Sequence, residues 1–249
     1  IQKELEEFYE INNFAARYFE EVLQKSFDAE EARQYLRRRN IKPKTQKLFR
    51  IGFAPAGWNN FLNAAKENKI DLQKAKTLGL IDVNEKGEYY DKFRERIIFP
   101  IFSPNGRVIA FGGRILIDKE NTAKYLNSPE SKIYSKRKSL YGLFHSKEEI
   151  RKLDRAILVE GYMDLISLYQ ADIKNVVASS GTSLTEEQVQ LLSRFTKNII
   201  VLFDADPAGQ KASLRSIELL LKNDFDIKVM MLPPGEDPDS FINKYGKEK

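Results

Sequence analysis

The sequence predicts an α/β fold in which a basic, mixed α+β subdomain precedes a parallel four-stranded sheet flanked by helices. Three patterns support this fold class: amphipathic helical spacing early in the chain, a hairpin pattern at 97–111, and four short apolar runs separated by helical stretches after Ala156. We expect residues 1–150 and 151–249 to form separate domains.

The first half begins with helices. Apolar residues recur every three or four positions through residues 1–25, which predicts a helix with one buried face. Asp28 followed by Glu31 predicts a capping box that opens a second helix through Arg38. Two shorter helices are predicted over 59–68 and 71–78.

A hairpin follows these helices. The apolar runs 97–102 and 108–111 flank the turn sequence Ser103-Pro104-Asn105-Gly106, which is typical of two antiparallel strands. Residues 112–145 lack long apolar runs and are rich in Lys, Ser and Asn, so we expect irregular chain over a surface.

Strands and helices alternate in the second half. The predicted strands are 157–159, 176–178, 199–203 and 229–232, and helices at 162–170, 185–195 and 207–223 separate them. Strands that are apolar throughout are buried on both faces, so these four should form a parallel sheet with right-handed crossovers.

Composition excludes several kinds of protein and of site. The chain has no Cys and one His, which excludes disulfides, cysteine zinc sites and most catalytic triads; we expect His145 to be structural. A bound metal would be held by carboxylates, which favours Mg²⁺ or Mn²⁺. No apolar run reaches the ~20 residues that span a bilayer and no signal peptide is visible, so we expect a cytoplasmic protein without membrane contact.

Charge divides unevenly along the chain. Residues 1–150 carry 28 Lys and Arg against 21 Asp and Glu, whereas 151–249 carry 13 against 15. This balance is typical of a polyanion binder joined to a metal-holding module, although lysines that only solvate a surface would produce it too. The cations are densest between 105 and 138, where Tyr125 and Tyr134 interleave with them as in surfaces that stack single-stranded bases. They are Arg107, Arg114, Lys119, Lys124, Lys132, Lys136, Arg137 and Lys138.

Acidic residues follow three of the four predicted strands. They are Glu160 and Asp164 after the first, Asp204 and Asp206 after the third, and Asp237 and Asp239 after the fourth. Ligands of open parallel sheets bind beyond the carboxyl ends of the strands, where these acids would converge. Clustered carboxylates repel one another, and divalent cations would relieve that repulsion and support phosphoryl transfer. The alternative is that the acids only cap helices or form turns; Asp237 before Pro238 could start the last helix.

Residues 156–209 resemble the TOPRIM domain of topoisomerases and DnaG-type bacterial primases, whose hallmarks are a Glu ending the first strand and Asp-x-Asp ending the third. The matching strings are Val159–Asp164 and Phe203–Gly209. Further strings narrow the resemblance to the primases: Phe93–Ile101, Gly106–Arg114, Lys124–Glu130, Leu140–Leu143, Ala178–Ser183 and Gly235–Asp239.

The resemblance implies an RNA polymerase that makes RNA primers on a single-stranded DNA template from ribonucleoside triphosphates. It implies that Glu160, Asp204 and Asp206 are catalytic and bind Mg²⁺, for which Mn²⁺ could substitute, with Asp164, Asp237 and Asp239 completing the metal site. It assigns nucleotide or template binding to Arg114, Lys124, Asn127 and Lys136. Glu160 could instead be a general base, and the sequence leaves both roles open.

The family also carries a zinc module and a module that docks the replicative helicase. We expect both modules to be absent from this chain, which starts at Ile1. The helices that follow the TOPRIM domain in the family would be cut short at Lys249. The chain would then be the catalytic core alone, without zinc. Two other functions stay open: a TOPRIM nuclease or topoisomerase-like DNA-cleaving enzyme, and a non-catalytic nucleic-acid-binding module.

Overall fold

The computed structural model describes residues 2–117, 122–180 and 183–248. Its helices are α1 (Gln2–Lys25), α2 (Glu30–Arg38), α3 (Pro43–Leu48), α4 (Asn60–Glu67), α5 (Leu72–Thr77), α6 (Leu143–Leu153), α7 (Tyr162–Gln170), α8 (Glu186–Leu192), α9 (Pro207–Leu221) and α10 (Pro238–Tyr245). Its strands are β1 (Gly52–Ala54), β2 (Ile81–Val83), β3 (Tyr89–Asp91), β4 (Arg96–Phe102), β5 (Val108–Ile115), β6 (Tyr125–Asn127), β7 (Ala156–Val159), β8 (Val176–Ala178), β9 (Asn198–Val201) and β10 (Asp226–Val229). Two 3₁₀ turns span Phe27–Ala29 and Lys136–Lys138. Within the described ranges, no helix combines the length and apolar character that crossing a membrane requires.

The chain divides into two compact units. Unit 1 comprises Ile1–Phe102 and Gly106–Ser135, and unit 2 comprises Ser103–Asn105 and Lys136–Lys249. Residues 136–150 fall in unit 2 because Tyr141 pairs with Ala178 and α6 packs beside β8. A domain boundary at residue 150 stays a prediction.

Unit 2 is built on the parallel sheet that the sequence predicts. The strand order is β10-β9-β7-β8, and every pair is parallel. Leu158, Val177 and Val201 are buried in this sheet together with apolar residues of α6, α8 and α9. The predicted fold class is therefore confirmed for this part of the chain.

The fourth strand lies earlier in the sequence than predicted. β10 pairs with Asn198–Val201, whereas Met230 and Met231 lie beyond its last residue and are at least half exposed. β10 is an edge strand in which Asp226 and Lys228 alternate with apolar residues, as edge strands often do. A search for apolar runs finds strands buried on both faces and misses such a strand, so the prediction of 229–232 is wrong.

Unit 1 carries the antiparallel sheet β1-β4-β5-β6, in which β4 and β5 form the predicted hairpin. Helix α1 packs against β1 and β5, and the rings of Phe19, Phe61 and Phe111 meet in its core. This packing requires Gly52, because a Cβ there would lie 2.5 Å from the Cβ of Phe19. The strands β2 and β3 pair separately.

Other local predictions are wrong. The cap before α2 is Ser26, whose hydroxyl accepts from the Asp28 amide at 3.2 Å, and α2 itself begins without a side-chain cap. Residues 112–145 are not irregular throughout, because β5 continues to Ile115, β6 follows and α6 begins at Leu143. Helix α3 and strands β1 to β3 were not predicted, since such short elements contain too few periods to give a pattern.

The single histidine, His145, is partly buried in unit 2, so its protonation reports on the packing there. The His145 ring lies 5.0 Å from that of Phe144 and 6.3 Å from that of Tyr169, and burial lowers the pKa of His145 to about 4. In the unfolded chain, the imidazole of His145 is exposed and takes up its proton near its ordinary pKa of 6.5. Stability from neutral His145 is therefore complete above pH 6.5 and lost as the pH falls toward 4, by at most about 1.4 kcal/mol per pH unit.

We expect the Hε1 proton NMR signal of His145, which needs no assignment because the chain has one histidine, to titrate well below pH 6. His145→Phe should flatten the pH dependence of the free energy of unfolding between pH 4 and 6.5. A titration midpoint at the value of the urea-unfolded chain would contradict the burial of this ring.

Candidate active site

Three acids follow the carboxyl ends of the central strands of unit 2. Glu160 comes directly after β7, while Asp204 and Asp206 lie between β9 and α9. Because β7 and β9 are parallel neighbours, these ends meet at one edge of the sheet. The structure thus brings together acids that are more than forty residues apart in sequence.

Glu160 and Asp204 interact at this edge. Burial raises the pKa of Glu160, and the charges of Asp204 and then Asp206 raise it further, whereas a hydrogen bond from the Asp204 amide opposes the rise. The Glu160 Oε1 atom is buried, and none of the residues that the structure describes forms a hydrogen bond with it. A buried carboxylate oxygen of this kind is costly unless something else, such as a cation, compensates for the lost water.

Asp164 lies in the first turn of α7 and belongs to the same group of charges. Its carboxylate accepts from the amide of Gly161 at 3.0 Å and from that of Asp239 at 3.4 Å. Burial, followed by the charges of Asp204, Asp237 and Asp239, raises the pKa of Asp164 to about 7. The carboxylate of Asp204 therefore acts electrostatically on both Glu160 and Asp164.

Besides Asp164, which completes the cap of α7, two more of the predicted acids cap helices, as the alternative interpretation of the sequence allowed. Asp206 accepts from the Gly209 amide at 2.7 Å at the start of α9, and Asp237 accepts from the Ser240 amide at 2.6 Å at the start of α10. A carboxylate has two oxygens, so capping with one does not prevent metal binding with the other.

Asp239 lies in a buried hydrogen-bond network. It is 2% exposed, and its Oδ1 accepts from the Ser167 hydroxyl of α7 and, at 2.8 Å, from the Asn243 amide. The network fastens α10 to α7 and so holds Asp164 near Asp237. No sequence pattern marks Ser167 or Asn243, because their bonds to Asp239 depend on how α7 and α10 pack.

Gly209 allows the Asp204–Asp206 loop to approach α9. A Cβ at this position would lie 2.4 Å from the backbone oxygen of Asp204, and the Gly209 amide also caps through Asp206. The spacing Asp-x-Asp-x-x-Gly is therefore a geometric requirement of this loop. The sequence motif contained Gly209, but the assignment of site residues missed it.

The donor chemistry of this edge fits a hard divalent cation. The carboxylate of Asp204 raises the pKa of both Glu160 and Asp164, and a buried oxygen of Glu160 receives no hydrogen bond from the described part of the chain. Within residues 2–117, 122–180 and 183–248, no three Asp, Glu or His side chains are arranged to hold one ion together. The acids share an edge, but the rotamers described do not form a coordination shell.

Some cations of the basic segment are neutralised by helix α1. Arg107 forms a two-bond ion pair with Glu6, with both contacts at 2.7 Å, and Lys132 lies 2.7 Å from Glu4. Counting charges only within 105–138 missed these acids, because they lie about a hundred residues earlier. Lys119 lies outside the described residues.

The four residues assigned to nucleotide or template binding differ in exposure. Arg114 is 6% exposed; its guanidinium donates to the Ile115 carbonyl at 2.7 Å and lies 4.7 Å from the ring centre of Tyr35. Lys124 is exposed just before β6, and Asn127 ends that strand opposite Gly112. In unit 2, Lys136 starts the 3₁₀ turn and is partly buried.

Of the two tyrosines in the basic segment, only one is exposed. Tyr125 is exposed, whereas Tyr134 is buried in unit 1. Tyr134 is therefore unavailable for stacking on a base, and its predicted place in a stacking surface is wrong.

An aromatic surface of unit 1 was not predicted. Trp58 is 60% exposed, and the Arg94 guanidinium lies 4.0 Å from its ring centre and 5.6 Å from that of Tyr90. A cavity of about 400 Å³ is lined by these three residues together with Lys92 and Arg96. The only signal in the sequence is that Trp58 is the single tryptophan.

Comparisons with known proteins agree across the chain. A family model described as "DNA primase catalytic core, N-terminal domain" matches residues 18–147, and one described as "Toprim-like" matches residues 157–242. A DNA primase of Halalkalibacterium halodurans is 44% identical over 240 residues, which is 96% of this chain and 40% of that protein. The chain thus spans about two fifths of the length of the curated relatives it matches.

Solved structures of primase domains also match this chain. The DnaG primase catalytic domain bound to single-stranded DNA is 39% identical with a TM-score of 0.89, covering 100% of this chain and 80% of that one. A DNA primase domain from Pseudomonas aeruginosa is 38% identical with a TM-score of 0.91, covering 97% of this chain and 76% of that one.

We predict that Gly209→Ala destabilises the protein, although alanine normally stabilises a helix by about 1 kcal/mol relative to glycine. The added Cβ would displace the Asp204 carbonyl, and we expect a net loss of about 1–3 kcal/mol in the free energy of unfolding by urea. Lys211→Ala, an exposed substitution in the same helix, is the matched control and should be nearly neutral. Equal stability of the Gly209 variant and the wild type would show that the loop tolerates a Cβ.

Proposed function

Because the chain belongs to the DNA primase family, we propose that it is the catalytic core of a DNA-directed RNA polymerase that makes short RNA primers on single-stranded DNA. The observation that supports this most is the group of mutually interacting carboxylates, Glu160, Asp164 and Asp204, at the carboxyl edge of the parallel sheet. Its substrates would be ribonucleoside triphosphates, which makes it a nucleotidyltransferase. Contact with a replicative helicase would involve other parts of the longer relatives.

We propose that Glu160, Asp204 and Asp206 hold Mg²⁺, with Asp164, Asp237 and Asp239 around them, and that Mn²⁺ can substitute. When bound, the cation would lower the cost of forming the attacking oxygen and offset charge on the leaving group. The ribose 3′-OH attacks the α-phosphorus of the next nucleotide, the bond to the β-phosphate oxygen breaks, and pyrophosphate leaves. Glu160 could also accept the hydroxyl proton, since its raised pKa suits a general base.

The helix caps would position these acids for that reaction. The amides of Gly161, Gly209 and Ser240 each donate to a carboxylate, which restricts the rotation of Asp164, Asp206 and Asp237. Amides at helix starts also favour negative charge, so the caps help to keep the acids close together. The site would then need little reorganisation when substrate binds.

Cations of both units would contact phosphates. Lys124 is exposed on unit 1 and Lys136 stands in the turn of unit 2, and we propose that both neutralise phosphate charge, with Asn127 adding a polar contact. Arg114 is buried against Tyr35, so we propose that only the edge of its guanidinium reaches a ligand.

Trp58, Tyr90 and Arg94 would bind the template strand by stacking. An exposed tryptophan with a guanidinium over its ring offers a face on which a base can stack, while the arginine contributes positive charge. A related DnaG primase catalytic domain has been solved bound to single-stranded DNA, which supports a single strand as the ligand.

We predict that Asp204→Asn abolishes primer synthesis, because it removes the charge that acts on both Glu160 and Asp164. Without metal, its thermal stability should equal or exceed that of the wild type, since a repulsion is relieved. Asp226→Asn makes the same chemical change at the amino end of the sheet and should leave synthesis unchanged. The measurement is incorporation of labelled ribonucleotides with Mg²⁺ or Mn²⁺. Near-normal activity of Asp204→Asn would exclude the role assigned to Asp204. Strand nicking without incorporation by the wild type would indicate a nuclease.

We predict that single-stranded oligothymidylate quenches the fluorescence of Trp58, the only tryptophan in the chain. Trp58→Ala should weaken binding by about 1–3 kcal/mol per lost base stack, measured by fluorescence anisotropy of a labelled oligonucleotide. Phe27→Ala, which removes a 90% exposed ring elsewhere in unit 1, is the control and should bind normally. If both variants bind like the wild type, the strand lies elsewhere.

A further inference from the structure

The turn Lys136–Lys138 places three cations in succession on a single 3₁₀ turn of unit 2. The three like charges repel one another, which opposes holding them together on one short turn. Arg137 forms an ion pair with Glu187 at 3.2 Å, and its side chain stays largely exposed. Hydrogen bonds from elsewhere in unit 2 hold the backbone of the turn.

Two side chains at the start of α8 bind this backbone. The amide nitrogen of Gln188, which is fully buried, donates to the carbonyl of Lys136 at 3.1 Å and to that of Ser139 at 2.8 Å. The Thr185 hydroxyl donates to the carbonyl of Arg137 at 2.6 Å. Three of the four carbonyls from 136 to 139 thus accept bonds from α8.

The same side chains form the capping box of α8. The Thr185 hydroxyl accepts from the Gln188 amide at 3.2 Å, and Gln188 Oε1 accepts from the Thr185 amide at 3.1 Å. A glutamate would complete the box equally well. It has no hydrogen to donate, however, so only the contacts with the turn require glutamine at this position.

We propose that Thr185 and Gln188 are positioning residues that hold the Lys136–Lys138 turn in the shape in which its cations meet substrate phosphates. This inference rests on the proposed function. The phosphates belong either to the single-stranded template or to the incoming triphosphate, and both present the same chemistry to the turn. Loss of the hydrogen bonds from Thr185 and Gln188 to the turn would lower its affinity for phosphate, because the three cations would no longer be held side by side.

The test compares Gln188→Glu, which keeps the cap and removes both donors, with Thr185→Val and Thr185→Ser. The measurements are anisotropy of labelled oligothymidylate at several salt concentrations and the KM for ATP in primer synthesis. We expect Gln188→Glu and Thr185→Val to weaken binding or raise KM five- to tenfold with kcat nearly unchanged, and Thr185→Ser to behave like the wild type. If the strand is the ligand, the slope of log affinity against log salt should fall by about 0.7 for each lost phosphate contact.

Asp71→Ala controls for the loss of a helix cap, since Asp71 caps α5, which belongs to unit 1, through the amides of Gln73 and Lys74. It should lower thermal stability without changing the salt slope or KM. Unchanged affinity, salt slope and KM in folded Gln188→Glu and Thr185→Val would overturn the inference. A wild type that binds oligothymidylate but makes no primer would overturn the proposed function alone, since the salt slopes could still be compared.

Discussion

Mutual repulsion among the carboxylates at the sheet edge is the constraint on which the rest of unit 2 depends. Asp204 raises the pKa of both Glu160 and Asp164, so the group is unfavourable unless other interactions offset it. Amides at the starts of three helices supply part of that compensation through the caps on Asp164, Asp206 and Asp237. The helices are therefore part of the electrostatics of the site as well as of its scaffold.

The cations between residues 105 and 138 do not all belong to one exposed surface. Residues that look like one basic surface in the sequence separate in the structure into paired, buried and exposed cations. Arg107 and Lys132 are paired with acids of α1, Arg114 is buried against Tyr35, and Lys124 is exposed. A count of charges along the chain therefore overstates the surface available to a polyanion.

The fold was predictable where its signals are local. Buried parallel strands are apolar throughout, and α1 repeats its apolar positions over 24 residues, so both were found. β10 was misplaced because an edge strand alternates, and the capping box assigned to Asp28 failed because Ser26 starts a 3₁₀ turn first. In the candidate site, the acids could be named from their strands, but Gly209, Ser167 and Trp58 could not, because their roles depend on contacts between distant segments.

By itself, the sequence determined which acids follow the buried strands, since the end of an apolar run fixes the residue that comes next. It also determined the family, through long strings of residues in a fixed order. Only the tertiary structure decided what each acid contacts, namely which ones cap helices and that Asp239 joins α10 to α7. It also decided that side chains at the start of α8 bind the backbone of the basic turn. Those contacts join side chains tens of residues apart, and their energies depend on distances that only the folded chain sets.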